Sequence, residues 1–448
     1  MKDTICALAT PPGGAIAIVR VSGPDAISIT DNIFSKSLTD AEGYTLHYGQ
    51  IMDMDGKELD DVVISVFRAP HSYTGEDSTE ISCHGSTYIV QRLLESLFHN
   101  GARQANPGEY TMRAFMNGKL DLSQAEAVAD LISSSTQATH QMAMSQMRGQ
   151  FSRELADLQK QLLQLTSLLE LELDFSEQDV EFANRQQLSE LMDKAEEHIR
   201  LLADSFQMGN AIKNGIPVAI IGAPNVGKSK LLNALVGEER AIVSNIQGTT
   251  RDLIEDTTQI GGITFRFIDT AGIRKTQSKL EQMGIERSLQ AAEKAQIILL
   301  MAEYNKSFPD IQFRDDQIVL QVINKCDISL PSSSYLYHRQ PTGRMYHISA
   351  ANGDGLELLR QALVREASLP TNLDATHSVV TNVRHYNALK QALEALQRAK
   401  QAFVNQTPTD LVAEDLRQCL HHLGEITGSE ITSDTILQTI FSHFCVGK

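Results

Sequence analysis

Four stretches of this chain place reactive residue types at spacings that serve phosphate and purine chemistry. The first is Gly222-x-x-x-x-Gly227-Lys228-Ser229, preceded by the apolar run 216–221 and followed by the amphipathic run 230–236. Glycines let backbone N–H groups close around a polyphosphate at a helix N-terminus, where unpaired donors and the helix dipole both favour negative charge. Lys228 then faces the β- and γ-phosphates, and the Ser229 hydroxyl offers a hard oxygen to Mg²⁺. Asn225 and Val226 lie inside this loop and Lys230 follows it. The second stretch, Asp269-Thr270-Ala271-Gly272, ends the apolar run 263–268. It supplies an acid that holds magnesium through water and a glycine amide that reports on the γ-phosphate. The third, Asn324-Lys325-Cys326-Asp327, follows the run 318–323 and ends in a carboxylate that accepts two N–H bonds from guanine. Adenine lacks that donor pair and would leave the acid unsatisfied. Ser349-Ala350, after 345–348, fits the last base-side loop. In this order the four pieces predict a site for GTP.

Hydrolysis in such a site needs a group that orients water, and the position after the Asp-x-x-Gly stretch is Ile273, which cannot do so. Two features offer a substitute for part of that work. The Asn225 amide oxygen sits in the phosphate loop, and Ser244-Asn245-Ile246-Gln247-Gly248-Thr249-Thr250-Arg251-Asp252 reads as a first switch. Carbonyls of the switch and the Asn225 oxygen would complete an oxygen cage for a monovalent cation. Thr250 would take the switch threonine's place on magnesium.

These loops need rigid elements behind them. At 448 residues the chain is long enough for about three domains. Residues 1–118 mix strand-like runs at 15–21, 61–67 and 79–84 with a helical run at 88–98, an α+β module. Arg20, Glu80, His84, Arg113 and Lys119 fall at or near the ends of its elements. Residues 119–214 are helical, with Leu155, Leu158, Leu162, Leu165 and Leu169 forming one stripe at alternating spacings of three and four. Residues 215–372 hold the α/β nucleotide module, and 373–448 return to helix, at Tyr386–Phe403 and Asp410–Leu420. Helical flanks on both sides predict a GTPase inserted into a discontinuous helical domain.

Composition narrows the partners. A formal charge of −17, with no block of Lys or Arg, argues against a broad phosphate-binding face, so an RNA would be gripped mainly by a partner. The five cysteines are scattered without a C-x-x-C pair, which argues for a reducing compartment and against zinc. No signal peptide or bilayer-length apolar run is present, so the expectation is a cytoplasmic protein with no membrane association.

The GTPase stretches, Gly248-Thr-Thr-Arg-Asp252, Asn117-Gly-Lys-Leu-Asp-Leu122 and the tail Phe444-Cys-Val-Gly-Lys448 together resemble the bacterial tRNA-modification GTPases of the MnmE (TrmE) family, over the whole chain. The resemblance implies an N-terminal folate-binding domain, a homodimer joined through it, and a hetero-oligomer with the FAD-dependent MnmG. It implies formation of the carboxymethylaminomethyl group at C5 of the wobble uridine of certain tRNAs, with a one-carbon unit from a tetrahydrofolate in its 5-formyl or 5,10-methylene form. It carries folate contacts onto Arg20, Glu80, Lys119 and Lys448, and K⁺ ligands onto Asn225, Ser244, Ile246 and Thr249. The catalytic glutamate falls on Glu281, and Cys445 in the tail becomes a candidate redox or nucleophilic thiol. Val446, Lys230 and Ala351 depart from the usual family residues without removing a reactive group.

Overall fold

The computed structural model describes residues 3–174, 185–237, 256–268, 291–329, 343–367 and 378–429, together with 437, 440, 441, 444 and 447. By their contacts they form two compact units, one of Met1–Ser133, Ala143–Ile199 and Ala388–Lys448, the other of Ser134–Met142 and Arg200–Asn387. The four segments expected from the sequence divide the chain differently, because 119–214 and 373–448 each contribute residues to both units.

The first unit opens with β1 (Ile5–Leu8), β2 (Ile16–Ser22), α1 (Ala26–Asp31), β3 (Thr45–Met52), β4 (Glu58–Phe67), β5 (Ser78–His84), α2 (Thr87–His99) and β6 (Arg103–Gln104). The strands form one six-stranded sheet in the order β3-β4-β5-β2-β1-β6. Alternation sends Val19, Val21, Val62, Ile64, Val66, Ile81 and Cys83 to one face, where Ala26, Ile29, Leu93 and Leu97 cover them. The opposite face carries the intervening residues, and the antiparallel register of β2 and β5 sets Arg20 directly against Glu80. β1, β3 and β6 were not among the expected strands. In β3 the positions that alternate with the inward-facing ones include exposed Leu46 and Tyr48, which blurs the polar half of the pattern. β6 has only two residues.

Five helices follow: α3 (Glu109–Met116), α4 (Leu122–Ser133), α5 (Gln137–Met147), α6 (Gln150–Asp174) and α7 (Arg185–Asn214). All five stripe leucines of α6 are buried, at 1% exposure or less. The stripe therefore packs inside a bundle.

The second unit is built on β7 (Ile216–Gly222), α8 (Lys228–Val236), β8 (Asp256–Ile260), β9 (Ile263–Phe267), β10 (Ile297–Glu303), β11 (Ile318–Asn324), α9 (Cys326–Ser329), β12 (Met345–His347) and α10 (Leu356–Glu366). Its sheet runs β12-β11-β10-β7-β9-β8, parallel except for the β8–β9 edge pair. The inner strands are buried on both faces, which is why 216–221 and 297–302 read as unbroken apolar runs. Parallel strands bring their C-terminal ends to one edge, and each predicted nucleotide loop among the described residues begins there.

The chain continues into α11 (Val383–Val404) and α12 (Thr409–Thr427). Helix α12 packs along α6, burying Val412, Leu416, Cys419, Leu423 and Ile426. Glu196 of α7 accepts from Gln397 and Lys400 of α11, and His198 of α7 meets Glu154 of α6 at 2.7 Å. Among the described residues no helix is long and apolar enough to cross a membrane.

Candidate functional site

The strand–loop–helix from β7 to α8 takes the shape its glycines require. Gly227 has φ +102°, and a Cβ there would lie 2.3 Å from the Asn324 side-chain nitrogen, so no other residue fits this cradle. Asn225 also has a positive φ, of 62°, a conformation that asparagine tolerates better than most residues. Val226 is buried beneath the loop, whereas Asn225 and Lys230 are exposed. Gly227 caps α8, whose first N–H groups, like those of any helix, lack intrahelical partners. Ser229 stands in the first turn of that helix. The Lys228 ammonium donates to the carbonyls of Gly222 (2.7 Å) and Ala223 (3.0 Å), and burial lowers its pKa.

The base-side loops are tied to the phosphate loop by one side chain. Asn324, at the end of β11, donates from its amide nitrogen to the Val226 carbonyl (2.8 Å) and accepts from the Ala350 N–H (3.0 Å). The predicted stretches 222–229, 324–327 and 349–350 therefore meet in one place. Asp327 holds one carboxylate oxygen buried with no hydrogen-bond partner among the described residues. An orphaned buried acceptor is costly, and a ligand donating N–H bonds removes the cost. Ser349 is fully buried and its backbone is fixed by bonds with Asp354 and Gly353. Lys325, with φ 63°, extends its ammonium to Glu303 at the end of β10. Sequence reasoning passed over Glu303. An acid closing an apolar strand run was the available signal, the same one that singled out Asp269.

A second polar cluster lies on the other face of the first unit's sheet, beside the buried residues Ile5, Ala7 and Tyr110. Arg20 donates from Nε to Glu80 (2.9 Å), closes the ion pair at 2.7 Å, and reaches the Gly447 carbonyl at 3.4 Å. Its guanidinium lies over the rings of Tyr73 (5.5 Å) and Tyr110 (5.6 Å), two residues that sequence reasoning did not select. The Tyr110 hydroxyl donates to the Arg20 carbonyl at 2.7 Å. Lys119 donates to the Pro70 carbonyl (3.0 Å), and Asn117 to that of Thr74 (2.7 Å), in the loop that presents Tyr73. Beneath that loop Arg113, fully buried, is shared by Asp3, Glu76 and Glu109 at 3.0–3.1 Å and acts as a structural clamp. His84 pairs with Asp60 on an exposed edge.

Cys6, Cys83, Cys326 and Cys419 are buried, and desolvation raises each thiol, Cys6 and Cys419 to about 12 and Cys83 to about 11. None has the accessible thiolate that reactivity needs. Ser244, Asn245, Ile246, Gln247, Gly248, Thr249, Thr250, Asp269, Thr270, Ala271, Gly272, Glu281, Cys445 and Lys448 lie outside the described residues.

With this geometry established, comparison with known proteins places the chain. Residues 4–119 match the family model of the GTP-binding protein TrmE N-terminus, and residues 122–445 that of the MnmE helical domain. The tRNA modification GTPase MnmE of Parabacteroides distasonis is 52% identical over 463 residues, and that of Bacteroides fragilis 51% over 467, each covering 100% of both chains. The protein of the same name from Flavobacterium johnsoniae is 49% identical over 470 residues, covering 100% of this chain and 99% of its own. Among solved structures, the FeoB G domain of Methanococcus jannaschii aligns with 34% of this chain and 96% of its own at 22% identity and a TM-score of 0.24.

Proposed function

The chain belongs to the MnmE family of tRNA modification GTPases, and on that premise we propose that its GTP hydrolysis is activated by K⁺ and drives carboxymethylaminomethylation at C5 of a tRNA wobble uridine. In this reading the partner is the FAD-dependent MnmG, the one-carbon donor is a tetrahydrofolate, and the working unit is a homodimer in the cytoplasm.

The observation that carries the nucleotide half is the Asn324 bridge, which locks phosphate loop and base loop together beside the orphaned Asp327 oxygen. Asp327 accepts from the guanine edge. Lys228 leaves the loop carbonyls to meet the phosphates, and its lowered pKa marks an ammonium short of solvation that anionic oxygens would restore. The narrow glycine cradle and the hydroxyl in the first turn of α8 suit a hard cation: Ser229 and Thr250 would hold Mg²⁺, which when bound neutralises phosphate charge. Asn225, Ser244, Ile246 and Thr249 would hold K⁺, adding positive charge near the bond that breaks. Glu281 would orient the water that Ile273 cannot. The folate half rests on Arg20, Glu80, Lys119 and Lys448. A cation, an acid and two aromatic rings on one sheet face suit a planar, hydrogen-bonding heterocycle that carries a carboxylate tail.

Two measurements test this reading. Wobble uridines from cells lacking the protein should lack the modified mass, and a normal mass would refute the tRNA assignment. Replacing K⁺ by Na⁺ should slow GTP turnover severely, with Asn225→Ala abolishing the difference. Equal rates in both salts would defeat the cation cage.

A further inference from the structure

Strand β10 lies between the phosphate-loop strand β7 and the base-loop strand β11, and its parallel register sets Glu303 against Asn324. The acid thus stands at the edge of the sheet where the nucleotide loops converge. Its carboxylate takes the ammonium groups of both Lys325 and Lys306, the latter at 2.5 Å. The backbone around it is fixed as well. Lys306 N–H donates to the Glu303 carbonyl at 3.0 Å, and Tyr304 N–H donates to the Asn324 carbonyl at 3.3 Å. Lys306, and after it Lys325, hold the Glu303 carboxyl down to about 2, so the acid stays ionised across the physiological range.

Lys325 lies between Asn324, which ties the loops together, and Asp327, with its unsatisfied oxygen. A lysine stem has four rotatable bonds, and ordering it at the moment of binding costs affinity unless it is already held. We infer that Glu303 is a positioning residue for purine recognition: it anchors the Lys325 ammonium so that this side chain is ordered at the base-side loop before the nucleotide arrives. The inference rests on reading Asn324–Asp327 as that loop.

The test is fluorescence titration of the full-length protein with mant-GDP and mant-ADP. Glu303→Gln, nearly isosteric, should weaken mant-GDP binding about tenfold, and Glu303→Asp, which keeps the charge, should recover part of that loss. Lys325→Ala should weaken binding to a similar degree. The double variant Glu303→Gln/Lys325→Ala should bind no more weakly than Lys325→Ala alone, because the acid acts only through the lysine. Additive losses, or unchanged affinity in Glu303→Gln, overturn the inference while the base-side reading stands. Equal affinity of the unaltered protein for the two probes overturns that reading, and the inference with it.

Discussion

At the scale of single residues, the proposed recognition of guanine turns on the Asp327 carboxylate, one oxygen of which is buried without a hydrogen-bond partner among the described residues. Asp327→Asn replaces an acceptor with a group that donates, and should lower GTP affinity by at least about a hundredfold. Xanthosine triphosphate, which offers an acceptor where guanine has its amino group, should regain much of that loss. A competition assay between the two nucleotides checks this, and an unchanged preference for GTP would remove Asp327 from the base site. Such a residue was legible in the sequence because its neighbours fix its role. Asn324, Lys325 and Asp327 follow an apolar strand run, and Gly222, Gly227 and Lys228 follow another. Glu303 was harder to single out, because a lone acid at a strand end is common and its partner Lys325 lies 22 positions away. Arg20 and Glu80 are 60 positions apart, and no local pattern reveals the register that pairs them. Their assignment as folate contacts came through resemblance, and Tyr73 and Tyr110 stand beside Arg20 only in the folded chain.

At the scale of elements, the helical bundle depends on the α6 stripe. Leu162→Ala should cost about 2–5 kcal/mol, read by chemical denaturation, since the site is sealed and cannot collapse freely. A loss under about 1 kcal/mol would mean that the stripe is more loosely covered than its burial implies. The bond between Glu154 and His198 adds a pH dependence. That hydrogen bond raises the His198 pKa, so its contribution is complete below the unfolded imidazole value of about 6.5 and disappears as pH rises through the folded value. The melting temperature should therefore contain a component that falls on going from mildly acidic to alkaline buffer. His198→Gln should flatten it, and an identical slope in the variant would assign the effect elsewhere. The helices themselves were readable from periodicity. The weakness of β3 as a signal has the opposite cause, apolar residues on the solvent side of an edge strand.

At the scale of the whole molecule, net charge bears on the proposed handling of tRNA. With a formal charge of −17, the protein alone should bind tRNA no more tightly than the non-specific range, about 10⁻⁶ M or weaker. Addition of the proposed flavoprotein partner should tighten the complex and carry most of its salt dependence. Tight, strongly salt-dependent binding by the isolated chain would show that a basic surface forms without the partner. The second large-scale feature lies inside the first unit. Phe441 packs with Leu122, Ala125 and Leu437, and the ring of Phe444 lies 5.1 Å from that of Phe441. A Cβ on Gly447 would come within 2.4 Å of the Leu8 carbonyl. Phe441→Ala should thus destabilise this unit by about 3–5 kcal/mol, read by chemical denaturation.

That packing imposes an order on biosynthesis. During translation the opening sheet emerges early, but the helices and tail that finish its unit begin only at Ala388, after the intervening nucleotide unit has been made. At ordinary elongation rates the sheet waits on the order of ten to fifty seconds for them. A ribosome that stalls near the end of that interval leaves a nearly finished nucleotide unit attached to an incomplete first unit, with the seat for Phe441 bare. Quality-control proteases would meet that fragment as exposed apolar surface, so this protein's abundance in the cell should be unusually sensitive to stalling codons between the two halves of its first unit.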